Sequence, residues 1–218
     1  AGYVSGWIVP VPSEYQTSLG QALTGNCCLS IISRTSLGPS ATVFNPANLT
    51  GSTANTVAAT PVVYYDLAHP TIGDFVTTNQ YTSAGTEIRG SAFPSGSKTV
   101  LYFGRQGTGA YCYGTGTSNQ TLAGQPVGDG SNYCYDPTDS NKGPHTYPYV
   151  YQAWAYNADH LVNARNGSTN PWNVIPYAVW TFNLPFQPAR RLLGGVAYDA
   201  AGQRIFISQH YGDGDRPV

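Results

Sequence analysis

A β-run, a Gly-containing turn and a second β-run recur along this chain, and they carry Arg34, Arg105 and His210 at one equivalent position. Gly90, Phe93, Val100 and Arg105 in GSAFPSGSKTVLYFGR match Gly195, Tyr198, Ile205 and His210 in GVAYDAAGQRIFISQH, each pair 105 residues apart. Outside that hairpin, Asn45 and Leu49 match Asn157 and Leu161 at a separation of 112 residues, while Pro61, Leu67 and Pro70 match Pro176, Phe182 and Pro185 at 115. Arg34 precedes Arg105 by 71 residues, so the units differ in loop length, and the largest gain is the stretch 107–148. Fixed-period similarity among short strands marks a repeat architecture, in which one unit cannot bury its apolar face alone.

The composition supports a folded core, with 41% hydrophobic residues, but charged residues make up only 10% against roughly 25% in an average soluble domain. Lysine is confined to Lys98 and Lys142, whereas Tyr (17), Gly (25) and Pro (16) abound. A surface of Tyr, Asn, Thr, Ser and Gly points to an exported protein, secreted, extracellular or periplasmic; β-turn chemistry favours some of the same residues. The net charge of −1 and the lack of a basic run exclude a nucleic-acid surface, which needs Lys and Arg against phosphates. No apolar run approaches the roughly 18 residues of a membrane span, and the sequence contains no signal-peptide pattern. Because the chain has no Met, Ala1 is not a retained initiator, and the N-terminus reads as a mature one or as a cut through a longer protein.

Cys112 and Cys134 flank a Gly/Asn/Thr-rich stretch inside 107–148, where a disulfide would remove roughly 3 kcal/mol of unfolded-state entropy. Cys27 and Cys28 are adjacent and leave a vicinal disulfide, free thiols or bonds to outside partners open. No cysteine spacing matches a zinc site, and paired cysteines fit an oxidising compartment. Asn48, Asn119 and Asn166 each begin an Asn-x-Ser/Thr triplet. No cofactor motif occurs; Asp213 and Asp215 in GDGD are weak candidates for calcium.

Alternation and turn punctuation predict strands at Trp7–Val11, Leu29–Arg34, Ser40–Phe44, Val62–Tyr65, Ile88–Phe93, Thr99–Phe103, Tyr149–Tyr156, Tyr177–Phe182, Gly195–Tyr198 and Arg204–Gln209. Helix is expected only after Asn157, which can cap Ala158–Ala164, with Asn45 before PANL in the matching place. The chain reads as a single all-β repeat region, residues 1–218, with units at about 6–66, 86–183 and 193–218. Four antiparallel strands per unit resemble the blade of a β-propeller. WD and kelch signatures are missing, but YPYVYQAWAY and LGGVAYDAAGQRIFISQ resemble parts of exported bacterial propeller proteins of unassigned function. Two and a half blades do not close a ring, so that resemblance implies further segments or other chains completing the fold. The alternative is a β-sandwich of ten strands.

In a blade the start of the first strand and the end of the second share one face. That geometry would gather Arg34, Arg105, His210, Glu87 and Arg89 at a channel mouth, where guanidinium groups suit bidentate recognition of carboxylate or sulfate. The inserted loop adds Tyr111, Tyr113, Tyr133, Tyr135, Tyr147, Tyr149 and His145, whose rings can stack on sugars or on a protein partner, or build a small core of their own. Two functions follow from these residues: a module binding a glycan, such as an acidic polysaccharide, or a protein partner, and an enzyme, hydrolase or lyase, using Glu87 and His210. A third is a subunit of an extracellular assembly. The scarcity of carboxylates near the mouth favours binding.

Overall fold

The computed structural model describes residues 6–25, 36–50 and 56–218, and the protein is mainly β, with 38% strand and 13% helix. β1 (Trp7–Pro10), β2 (Ala22–Gly25), β3 (Ala41–Phe44) and β4 (Ala59–Val63) form an antiparallel sheet in chain order. In β1 the two-residue period of a pleated strand buries Trp7 and Val9 and exposes Ile8 and Pro10. Between β1 and β2 lies α1 (Ser13–Leu19), which starts after Pro12 and stops at Gly20, whose φ of 122° suits glycine.

The second sheet begins with β5 (Glu87–Ala92) and β6 (Thr99–Gly107). The chain then leaves it for β7 (Cys112–Thr117), β8 (Asn132–Tyr135) and β9 (Lys142–His145), returns as β10 (Tyr149–Asn157), and continues through α2 (Ala158–Arg165) to β11 (Ala178–Phe182). The strands β5, β6, β10 and β11 again pair in chain order. A final hairpin consists of β12 (Leu193–Asp199) and β13 (Arg204–Gln209). Past it, Gln209 and Val218 exchange backbone hydrogen bonds of 2.6 and 2.8 Å, which places Val218 on the outer edge of β13.

The repeat extends to register. Ile88 pairs with Gly104 and Gly90 with Phe103 across a bulge; 105 residues on, Leu193 pairs with Gln209 and Gly195 with Ser208 across the same bulge. Asn45 and Asn157 each follow the third strand of a sheet and accept a hydrogen bond from the amide two residues on, both at 2.9 Å. Such caps satisfy a helical N–H that has no partner within its turn.

Alternation also decides which faces meet. Trp7, Val9, Leu23 and Val43 from the first sheet bury against Ile88, Phe93, Val100, Tyr102, Trp154 and Tyr156 of the second. The other face of the second sheet, with Ala92, Phe103, Tyr151 and Ala153, packs on Leu193, Val196, Ile205 and Ile207 of the hairpin. β5 lies beside both β1 and β12, and Gly90 lets β12 approach, since a Cβ there would lie 2.5 Å from the side chain of Val196. The long connection between β4 and β5 is tied down by Trp154 Nε1 donating to Tyr81 O (2.8 Å) and Gln152 Nε2 donating to Gln80 O (2.8 Å).

Several expectations change. Leu29–Arg34 lies outside the described residues, and the strand between β1 and β3 is Ala22–Gly25, hidden in sequence because QALTG offers one large apolar residue among turn formers. α1 was not expected, its only buried residue being Leu19. The insertion holds three strands, one pair of them parallel. No closed ring is present among the described residues, and each four-stranded sheet runs in chain order.

Two substitutions test this packing by urea unfolding. Asn157→Ala is expected to cost about 1 kcal/mol through the lost cap. Gly90→Val should cost about 1–3 kcal/mol or more by overpacking against Val196; unchanged midpoints for both would contradict the register described here.

Candidate functional site

β5 and β6 bring Glu87 directly opposite Arg105. Glu87 Oε2 accepts from Arg89 Nη2 (2.8 Å), and its Oε1 accepts from Arg105 Nη2 (2.5 Å). Arg89 occupies the bulge between Ile88 and Gly90, a backbone irregularity that re-aims a side chain. Arg105 also donates to Arg190 O (3.2 Å) and lies 4.1 Å over the ring of Tyr149. Beside it, Arg191 lies over the ring of Tyr151 at 5.5 Å, and Tyr151 is the residue opposite Arg105 on β10. Four of the eight arginines thus gather at one end of the second sheet, with Glu87 between two of them.

Their hydrogen bonding is incomplete. Arg89 Nε, Arg105 Nε and Arg191 Nη1 are buried and have no hydrogen-bond partner among the described residues. A buried charged donor without an acceptor is costly. Backbone strain gathers here too: Arg191 has φ 52° and Tyr211 φ 58°, a region costing non-glycine residues about 1 kcal/mol or more. Arg190 Nη1 donates to the Tyr211 hydroxyl (3.2 Å) and its Nε to Thr138 O (2.6 Å). Arg190 therefore joins the segment after the hairpin to the insertion.

The insertion forms the opposite wall. The disulfide Cys112–Cys134 joins β7 to β8, and β9 pairs antiparallel on the other side of β7. A cleft of about 260 Å³ runs between Thr86, Glu87 and Arg105 on one side and Asp139, Asn141, Lys142, Pro144 and His145 on the other. Tyr113, opposite Pro144 and so on the same face of the small sheet, is 49% exposed.

Beneath this cleft lies a buried ion pair. Asp136 Oδ2 accepts from the Tyr149 hydroxyl (2.7 Å) and from His145 Nδ1 (3.0 Å), while its Oδ1 accepts from the amide and hydroxyl of Thr138 at 2.9 and 2.7 Å. His145 Nε2 faces the carbonyls of Gly114 (3.2 Å) and Asn141 (3.1 Å). With acceptors at both ring nitrogens, only the imidazolium satisfies every contact. Burial alone would raise the Asp136 carboxyl, but hydrogen bonds from His145, Thr138 and Tyr149 hold it down at about 2. Burial likewise works to lower His145, and the Asp136 carboxylate outweighs it, so its pKa is raised. The Tyr149 hydroxyl is pushed up by burial, against the pull of Arg105.

Of the residues expected to act, Glu87, Arg89 and Arg105 come together. His210 stands opposite Leu192, to whose carbonyl its amide donates at 3.0 Å, as Arg105 stands opposite Glu87, and its ring lies against Gly194. Arg34 lies outside the described residues. His145 is not an exposed ring beside a ligand: it is 3% exposed with both nitrogens engaged. Tyr111 packs edge-on against Phe75 at 5.5 Å. Asp213 is held in a backbone bridge with Arg216, and no group of three or more metal-ligating side chains occurs among the described residues. Sequence reading missed Arg190, Arg191, Asp136 and Asp139; the Arg-Arg dipeptide in a chain so poor in charge was the available signal.

No helix among the described residues is long and apolar enough to cross a membrane, and the disulfide accords with an oxidising compartment. Comparison with protein-family models, curated proteins and solved structures found no match for this chain.

The buried pair sets a pH dependence. Asp136, depressed from 3.8 to about 2, contributes fully above its unfolded value and loses that contribution as pH falls through the folded one. His145, raised from 6.5, contributes fully below 6.5 and loses it as pH rises through its folded value. Thermal unfolding followed from pH 2 to 9 should peak between about pH 4 and 6.5. His145→Leu should remove the alkaline limb and cost about 3–5 kcal/mol by stranding Asp136.

Proposed function

We propose that this chain belongs to an exported, propeller-like protein whose strand-end mouth binds an acidic glycan through its uronate or sulfate groups. The blade-like arrangement is supported by two sheets pairing in chain order, a third hairpin in the same register, and adjacent first strands. The observation that carries the binding reading is the set of three buried guanidinium N–H groups, on Arg89, Arg105 and Arg191, with no acceptor among the described residues. An oxyanion bound beside this cluster would balance its excess of positive charge, and planar guanidinium groups suit carboxylate and sulfate.

The cleft beside them offers further sugar chemistry. Lys142 lines it and keeps ammonium N–H donors beyond the one given to Asp129 at 2.7 Å, and exposed Tyr113, on the same small sheet, presents a ring face for stacking. Binding is favoured over hydrolysis or elimination because both oxygens of Glu87 are held by guanidinium groups. The second acid lining the cleft, Asp139, accepts from the Asn141 amide and side chain at 3.0 and 2.7 Å, which engages it in its own turn.

Titration calorimetry with uronate-containing, sulfated and neutral oligosaccharides tests this. Acidic ligands should bind, weaken as salt rises from about 50 to 500 mM, and lose roughly tenfold or more with Arg191→Gln or Arg89→Gln. Arg105→Ala should lose binding and stability together, since that side chain also braces Glu87 and Tyr149. Equal affinity for neutral ligands, or indifference to salt and to both Gln variants, would sink the proposal.

A further inference from the structure

The stacking of sheets is periodic, and its last member presents the same surface that its predecessor has covered. On the second sheet, the face bearing Gly90, Ala92, Leu101 and Phe103 is covered by the β12–β13 hairpin. Moving 105 residues along in the shared register gives Gly195, Ala197, Phe206 and Ser208 on the hairpin's outer face. There Phe206 is 55% exposed and Ala197 is exposed, while a Cβ on Gly195 would meet nothing within 4 Å among the described residues. Gly90 is filled by Val196; Gly195, its counterpart, is open.

The residue suited to fill it is identified by register. Val196 stands opposite Ile207 and Ser91 opposite Tyr102, 105 residues apart. On the first sheet, Thr24 pairs with Thr42 as Tyr102 pairs with Trp154, and Thr42 and Trp154 are separated by the 112 residues that separate the two capping asparagines. Ile8, opposite Thr24, therefore holds the place of Ser91 and Val196. It is β-branched like Val196, and it is 68% exposed, the highest exposure of any large hydrophobic residue described. Within the chain the sizes at this junction are complementary: Trp7 takes the place of Gly90 where Ser91 takes that of Val196.

We propose that the outer face of the β12–β13 hairpin docks the first sheet of a second copy of this chain, with the partner copy's Ile8 over Gly195 and its β1 beside β12. Gly195, Ala197, Ser208, Ile8 and Pro10 carry no charge, and the two charged residues on the same face, Asp199 and Arg204, pair with each other at 3.2 Å, with the Arg204 guanidinium 5.5 Å over the Phe206 ring, so the junction strands no unpaired ion. The contact joins two different surfaces, so it forms a ring if the rotation closes. Two copies bring four four-stranded sheets and two two-stranded hairpins, six layers in all, against the roughly four to eight blades of a propeller. The inference rests on strand register and exposure and is independent of what the arginine mouth binds.

Light scattering after size exclusion, over a concentration series of the 218-residue chain, tests it. The expected mass is a multiple of 23.2 kDa that falls to one copy on dilution. Ile8→Asp and Gly195→Val should each restore the monomer at least tenfold higher in concentration than the unsubstituted chain. Both should keep its circular dichroism, and at a dilution where the unsubstituted chain is a single copy both should share its thermal midpoint, since association itself raises the midpoint at higher concentration. A monomer at every concentration, which would leave the face to some other repeat unit, overturns the proposal. So does association that ignores both substitutions, as pairing through the β13 edge alone would.

Discussion

The face-to-face contact of consecutive sheets through their first strands is the constraint on which this structure depends. A four-stranded antiparallel sheet of short strands has too little area to stand alone, and here each sheet buries apolar side chains against the next. The spacing is set at β5, where Gly90 has no side chain and Val196 takes its space. Because strands alternate, residues one apart on β6 serve different interfaces: Tyr102 faces the first sheet and Phe103 the hairpin. A shift by one residue would exchange the two cores, so the bulge at Arg89 and its counterpart at Gly194 are fixed by the packing around them.

That same bulge connects architecture to chemistry. In the second sheet the extra residue is an arginine aimed at Glu87; in the hairpin it is Gly194, and the ring of His210 lies against it. The inserted small sheet stands over this end of the strands, fastened by the disulfide within itself and by Asp136 to β10. The buried His145–Asp136 pair and the Tyr149 hydroxyl form one network, and Arg105 lies on the Tyr149 ring. The position of the cationic mouth thus depends on a charge pair buried beneath the cleft.

The repeat offsets in the sequence were real structural offsets for the hairpins at Gly90 and Gly195 and for the caps at Asn45 and Asn157. They were legible because glycines at close approaches and asparagines at helix starts answer local backbone demands. Arg105 and Glu87 were legible as neighbours for the same reason, since hairpin register brings them opposite. β2, α1 and the three strands of the insertion were not. QALTG is buried along the whole of β2 without alternation, SEYQTSL buries only Leu19, and β7 is rich in Gly and Thr, so their structure comes from neighbours rather than from any periodicity of their own.

By itself the sequence determined a mainly β chain of repeated hairpins, a crosslinked insertion between the second and third strands of the middle unit, and a shortage of charge that makes each arginine conspicuous. These are consequences of short-range physics, in which alternation, turn residues and caps act within about ten residues. Only the tertiary structure decided that Arg190 and Arg191 join Arg89 and Arg105, that His145 is locked inside rather than offered to a ligand, and that Gly195 faces outward. Those outcomes depend on which faces of distant strands meet, and no periodicity along the chain encodes the partner of a side chain 85 residues away, as Arg105 is from Arg190.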